Sequence, residues 1–123
     1  SGLCVAALGG APGVRSARYA ATFAEAMERV HHELRDRDRS AELVTALALA
    51  WPPTPTRSER VVAREGRVPG RLAWPPRGTL GFGYEPMFVP HGSLQTYGEM
   101  ARADKQRDDP RTRAFASLLA ALT

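Results

Sequence analysis

Hydrophobic residues recur along this chain with two periods, and the switches between them outline its elements. Leu3 and Val5 alternate with small residues, the pattern of a short strand, and Gly9-Gly10-Ala11-Pro12-Gly13 closes it as a turn. Thr22 followed by Glu25 is a capping-box pattern. It leads into Phe23, Ala26, Met27, Val30 and Leu34, which fall on one helical face suited to packing on a sheet. The charged run Glu33 to Arg39 then reads as the solvated helix end and exit loop, with His31 and His32 as adjacent surface residues pointing different ways. At the other end, Asp109 before Pro110 opens a final helix whose apolar face is Phe115, Leu118, Leu119 and Leu122.

The middle is less regular. Ser40 to Ala50 is dense in Ala and Leu, which favours helix, yet it is short and stopped by Trp51-Pro52-Pro53. Pro52 to Thr56 is a proline-rich loop. Arg60 to Arg67 and Arg71 to Trp74 read as strands around a turn at Pro69-Gly70, which predicts a hairpin. Tyr84 to Val89 reads as another strand, Pro90 to Ser93 as a turn, and Thr96 with Glu99 as the cap of a short helix through Ala103. The order of strands and helices fits one α/β or α+β domain over residues 1–123, a mixed β-sheet flanked by helices.

Composition narrows the chemistry. At 123 residues the chain has room for a modest core, and its 43% hydrophobic content is ordinary for a globular protein. No apolar run reaches membrane-spanning length and no signal-peptide pattern opens the sequence, so a cytoplasmic protein is expected. The single cysteine, Cys4, excludes an intrachain disulfide and a cysteine-cluster metal site, and reads as a small buried hydrophobe. The net charge of +4 suits an anionic ligand without choosing between nucleotide and nucleic acid. Every basic residue but Lys105 is arginine, and these are spread along the chain with no basic tail or dense basic face, which weakens the nucleic-acid reading.

The segment Trp74 to Phe88 concentrates candidate chemistry. Gly78, Gly81 and Gly83 permit backbone conformations that a side chain would block, Trp74, Phe82 and Tyr84 offer flat apolar faces, and Glu85 places a carboxylate among them. Such a loop can stack on a flat polar ring and hydrogen-bond its edge. On composition alone the commoner case is a structural turn whose aromatics belong to the core.

The stretches Ser1 to Tyr19, Gly70-Arg-Leu-Ala-Trp-Pro-Pro-Arg-Gly78 and Gly81-Phe-Gly-Tyr-Glu-Pro-Met-Phe-Val-Pro90 together resemble the noncanonical purine nucleoside triphosphate pyrophosphatases, also called inosine/xanthosine triphosphate pyrophosphatases. The resemblance implies an elongated mixed sheet with flanking helices, Leu43 to Leu49 as a buried strand, and Mg²⁺-dependent hydrolysis of ITP, dITP and XTP to monophosphate and pyrophosphate. It also implies a dimer. Carried over motif by motif, it implies substrate contact by Ser1, by the base loop of Phe82, Gly83, Tyr84 and Glu85, and by Lys105 and Arg111 as donors to the base. Such donors are satisfied by the carbonyl of hypoxanthine and left unpaired by the amino group of adenine. Arg18 serves either the phosphate side or the local fold.

The pattern also departs from the family. Its first strand and Thr/Ser-x-Asn-x-x-Lys phosphate loop, and the carboxylate taken as general base, would precede Ser1, so the domain is expected to be N-terminally incomplete. That leaves a fragment of an enzyme or a shortened, catalytically impaired relative, with a sheet edge open to pairing. Ala6 stands where aspartate is usual, Leu80 where glycine is, Glu85 where aspartate is, and Asp109-Pro110-Arg111 where the family has Ser-His-Arg.

Overall fold

The computed structural model describes residues 1–123. Strands β1 (Gly2–Val5), β2 (Ser40–Trp51), β3 (Arg60–Leu72) and β4 (Phe88–Pro90) form one sheet in the order β1-β2-β3-β4. Helix α1 (Phe23–Leu34) follows β1, while α2 (Arg102–Gln106) and α3 (Pro110–Ala121) close the chain. A sheet with flanking helices is therefore present, and within these residues every strand pairing is antiparallel rather than mixed. No helix is long and apolar enough to cross a membrane.

The core lies where α1 meets the proximal part of the sheet. Thr22 caps α1 by accepting the Glu25 N–H, as the sequence pattern requires, and the helix buries Ala26, Met27, Val30 and Leu34. These join Leu3 and Val5 of β1, Val68 and Leu72 of β3, and Phe88 of β4 in one hydrophobic cluster. The registers Leu3↔Leu43 and Leu43↔Val68 set these side chains side by side across the sheet.

Several local expectations are corrected. The strand implied over Leu43 to Leu49 is present but longer, Ser40–Trp51, because twelve residues pair in register with β3 and this pairing overrides the helix preference of Ala and Leu. It is not a buried strand: Ala41 and Thr45 are buried, whereas Ala46, Ala48 and Leu49 are exposed on a projecting hairpin. The expected turn at Pro69-Gly70 does not occur, and β3 runs straight through it. Gly70 serves close packing instead, since a Cβ there would lie 2.7 Å from Phe88 Cζ and overlap the Val89 carbonyl. Glu85–Met87 is a 3₁₀ turn, so β4 is shorter than the expected strand.

Glu99 reaches back to accept the Thr96 N–H, but the Thr96 hydroxyl donates to the Arg77 carbonyl and the Glu99 N–H bonds the Thr96 carbonyl, so the pair closes a turn and the helix starts later at Arg102. The Asp109–Pro110 start of α3 is as read, with Asp109 accepting the Thr112 N–H. Its inward face is Pro110, Ala114 and Leu118, while Phe115, Leu119 and Leu122 remain exposed. Small residues face inward because α3 lies directly on the hairpin: a Cβ on Gly66 would overlap the Pro110 carbonyl and the Ala114 nitrogen.

Candidate functional site

A cavity of about 640 Å³ opens where the start of β1, the loop before Glu85, α2 and the first turn of α3 converge. That volume is in the range of small-molecule sites. Ser1, Phe82, Gly83, Tyr84, Glu85, Lys105 and Arg111, drawn from distant parts of the sequence, all line it.

They occupy it differently. Phe82 is 75% exposed, its ring held edge-on by Phe23 at 5.1 Å between centroids and 66° between planes. Tyr84 is buried, and its hydroxyl donates to the Ser16 carbonyl at 2.7 Å. Its ring also meets Phe23 edge-on at 5.7 Å, so it props the loop from beneath and offers no free face. Burial, then the nearby Tyr19, pushes the Tyr84 phenol up to about 12. Trp74, read as a third flat face, lies outside the cavity and stacks on His31 at 4.2 Å with 7° between planes. His31 is accordingly half-buried and not a surface residue.

Glu85 and Lys105 form an ion pair at 3.0 Å, and the same Glu85 Oε1 accepts the Phe82 N–H at 2.5 Å. Gly81 is required here on two counts: its φ is +83°, and a Cβ would stand 2.7 Å from that oxygen. Ser1 Oγ is hydrogen-bonded to Thr45 Oγ1 at 2.7 Å. Arg111 is exposed, and its side chain is free of hydrogen bonds and ion pairs within the chain. Arg102 lines the same cavity, so with Glu85 neutralised by Lys105 its unpaired cations suit an anionic ligand.

The sequence reading missed several lining residues. Phe23 sits at the first helical position of α1, directly after the Thr22 cap, and its ring turns toward the cavity where the periodicity had assigned it to the core. Ser16 braces the site by accepting the Leu3 N–H and donating to the Gly13 carbonyl, bonds that no residue pattern announces. Arg102 and Asp109 carried only a charge and a capping signal. A second hollow of about 810 Å³ is lined by Cys4, Glu42, Arg67 and Arg71, and there Arg67 pairs with Glu42 at 3.5 Å and with Glu65 at 2.9 Å.

A Mg²⁺ ion needs a near-octahedral set of oxygens. The cavity's carboxylates are Glu85, which serves Lys105 and the Phe82 amide, and Asp109, which caps α3. No three Asp, Glu, His or Cys side chains converge anywhere in the chain. Residues 1–123 do not form a cage for this metal.

Sheet, loop and cavity together place the chain in a known class, for residues 1–121 match the Ham1 family profile. The chain belongs to the Ham1 family. It is 51% identical over 128 residues to a protein of Caulobacter vibrioides named dITP/XTP pyrophosphatase, covering 99% of this chain and 63% of that protein. Its fold matches a Ham1 protein of Coxiella burnetii with a TM-score of 0.85 at 34% identity, covering 98% of this chain and 63% of that one. A nucleoside-triphosphatase, dITP/XTP pyrophosphatase, of Mycobacterium abscessus matches with a TM-score of 0.78 at 42% identity, covering all of this chain and 63% of that one. The chain therefore spans a little under two thirds of these relatives' length.

Proposed function

We propose that the cavity binds a deaminated purine nucleoside triphosphate, and that the protein hydrolyses ITP, dITP and XTP to the monophosphate and pyrophosphate, clearing them from the nucleotide pool. The observation that carries this reading is the convergence of an exposed aromatic ring, Phe82, with two cationic donors, Lys105 and Arg111, on one cavity. Phe82 would stack on the purine face, Lys105 and Arg111 would donate to its carbonyl edge, and the Gly83 turn and buried Tyr84 would hold the ring in place. Ser1 would touch the nucleotide from the β1 side. The relatives' names support the same substrate class.

Mg²⁺ belongs to this reading as the counter-ion that accompanies the triphosphate. A cytoplasmic location and a homodimer belong to it as well. For the dimer, the support is the exposed apolar set Phe115, Leu119 and Leu122 on and just after α3. The β1 edge expected to be open is covered by the chain itself, since Ser16 takes the Leu3 N–H and Gly10 and Ala11 bond Val5.

One observation favours a second reading for residues 1–123. Both carboxylates of the cavity already have a structural duty, Glu85 on Lys105 and the Phe82 amide and Asp109 on the Thr112 amide, so neither is a dedicated general base. On that reading these residues hold the nucleotide without cutting it.

Pyrophosphate release from ITP, compared with ATP and GTP in the presence of Mg²⁺, separates the two. Turnover with preference for ITP supports the enzyme. Saturable ITP binding without turnover supports the binding reading, and under either one Phe82→Ala weakens binding by roughly tenfold or more, the loss of one base-stacking contact. ITP binding that is absent, or indifferent to Phe82, rejects both.

A further inference from the structure

Glu85 is engaged in a way that contact with a nucleotide does not account for. One oxygen, Oε1, accepts both the Phe82 amide and the Lys105 ammonium, so a single atom ties the exposed ring to the cation beyond it. The side chains of Lys105 and Glu85 are only 18% and 15% exposed, unlike the chain's other ion pairs. Screening by water is reduced there, and the attraction is correspondingly stronger than at an open surface. The missing side chain of Gly81 makes room for this oxygen.

We propose that Glu85 is a positioning residue that makes Lys105 selective, by holding its ammonium at one place relative to the Phe82 ring. This rests on the nucleotide reading above. An untethered lysine that meets a 6-amino purine simply swings into solvent, and the mismatch costs little. A tethered lysine stays, and its remaining donors face an amino group that cannot accept them. A 6-oxo purine satisfies the same donors, and the ordering entropy of the lysine has already been lost before the ligand arrives. Selectivity for the 6-oxygen then depends on a carboxylate that need not touch the base.

Glu85→Gln tests this, because glutamine keeps the size and the acceptor for the Phe82 amide while removing the charge that holds Lys105. The ratio of ATP to ITP dissociation constants, measured by calorimetry on the folded chain, is expected to shrink by about tenfold in Glu85→Gln, with part of it restored in Glu85→Asp. A Glu85→Gln chain that melts like wild type and keeps the ratio within about twofold overturns the proposal. A second arm needs no ligand: Lys105→Met is expected to speed hydrogen exchange at the Phe82 amide, and an unchanged rate overturns the tie itself. Equal binding of ITP and ATP by the wild type would reject the nucleotide reading and this selectivity with it, and the exchange arm separates that outcome from failure of the tie.

Discussion

Tyr84 and Phe82 stand two residues apart and do opposite work. Phe82 gives its ring to solvent, while Tyr84 is buried with its hydroxyl on the Ser16 carbonyl. Tyr84→Phe removes that donor and leaves the carbonyl without it in a buried setting, so unfolding by urea should show a loss of roughly 1–3 kcal/mol. An unchanged midpoint would mean that water replaces the hydroxyl. The sequence places both aromatics in one glycine-rich loop, and it cannot say which faces inward. That is decided by Phe23, from another element, whose ring meets both edge-on. Lys105, Arg111 and Glu85 entered the reading through the family resemblance; by residue type alone the two cations read as solvent-exposed charge, and the structure brings all three to one cavity. The sharing of one Glu85 oxygen between an amide and an ammonium was not, since it depends on a close approach that only coordinates reveal.

Helix starts were readable because capping is local chemistry: Thr22 with Glu25 and Asp109 with Pro110 each satisfy an N–H within three residues. Helix faces were read less well. The large residues Phe115, Leu119 and Leu122 looked like the buried side of α3, yet the helix approaches the hairpin so closely that proline, alanine and Leu118 fill the contact. Gly66 makes this approach possible, and its replacement tests the interpretation. Gly66→Ala sets a methyl against the backbone of Pro110 and Ala114, which no rotamer change relieves. A loss of about 1–3 kcal/mol is expected from overpacking of this kind. The same displacement moves Arg111, one residue beyond Pro110, so ITP affinity should fall together with the melting temperature. A drop in stability with intact affinity would show that α3 can shift without carrying the cavity wall. The turn expected at Pro69-Gly70 failed for a related reason: Gly70 marks close approach between β3 and β4, and a glycine selected for space looks the same in sequence as one selected for a turn.

Across the whole molecule, titratable groups held by their neighbours set a stability window in pH. His31 joins α1 to the loop after β3 by stacking on Trp74, and Arg39, at the entry to β2, approaches its Nδ1 at 3.1 Å. In that arrangement the imidazole accepts from the guanidinium and must be neutral. Desolvation first, then Arg39 and His32, hold His31 below its ordinary value of 6.5, against a weaker opposite pull from Glu28. The unfolded chain therefore binds the proton more readily. His31 contributes stability that is fully present above pH 6.5 and is lost as pH falls below it toward the depressed folded value. At the alkaline end the sign reverses. Burial pushes the phenols of Tyr84 and Tyr97 from 10.0 up to about 12, so their contribution is intact below pH 10 and disappears as pH climbs toward 12. Melting temperatures scanned over pH should trace a plateau with an acid limb starting near pH 6.5 and an alkaline limb starting near pH 10. His31→Phe keeps a flat ring against Trp74 and removes the titration, so it should flatten the acid limb down to the region where Glu99 and Asp108 act. Those carboxylates, held low mainly by the Thr96 amide and by Arg113 respectively, keep their contribution until pH falls below their ordinary values of 4.5 and 3.8. If the limb near pH 6.5 survives His31→Phe unchanged, it belongs to another group, and the stack of His31 on Trp74 is packing without electrostatic consequence.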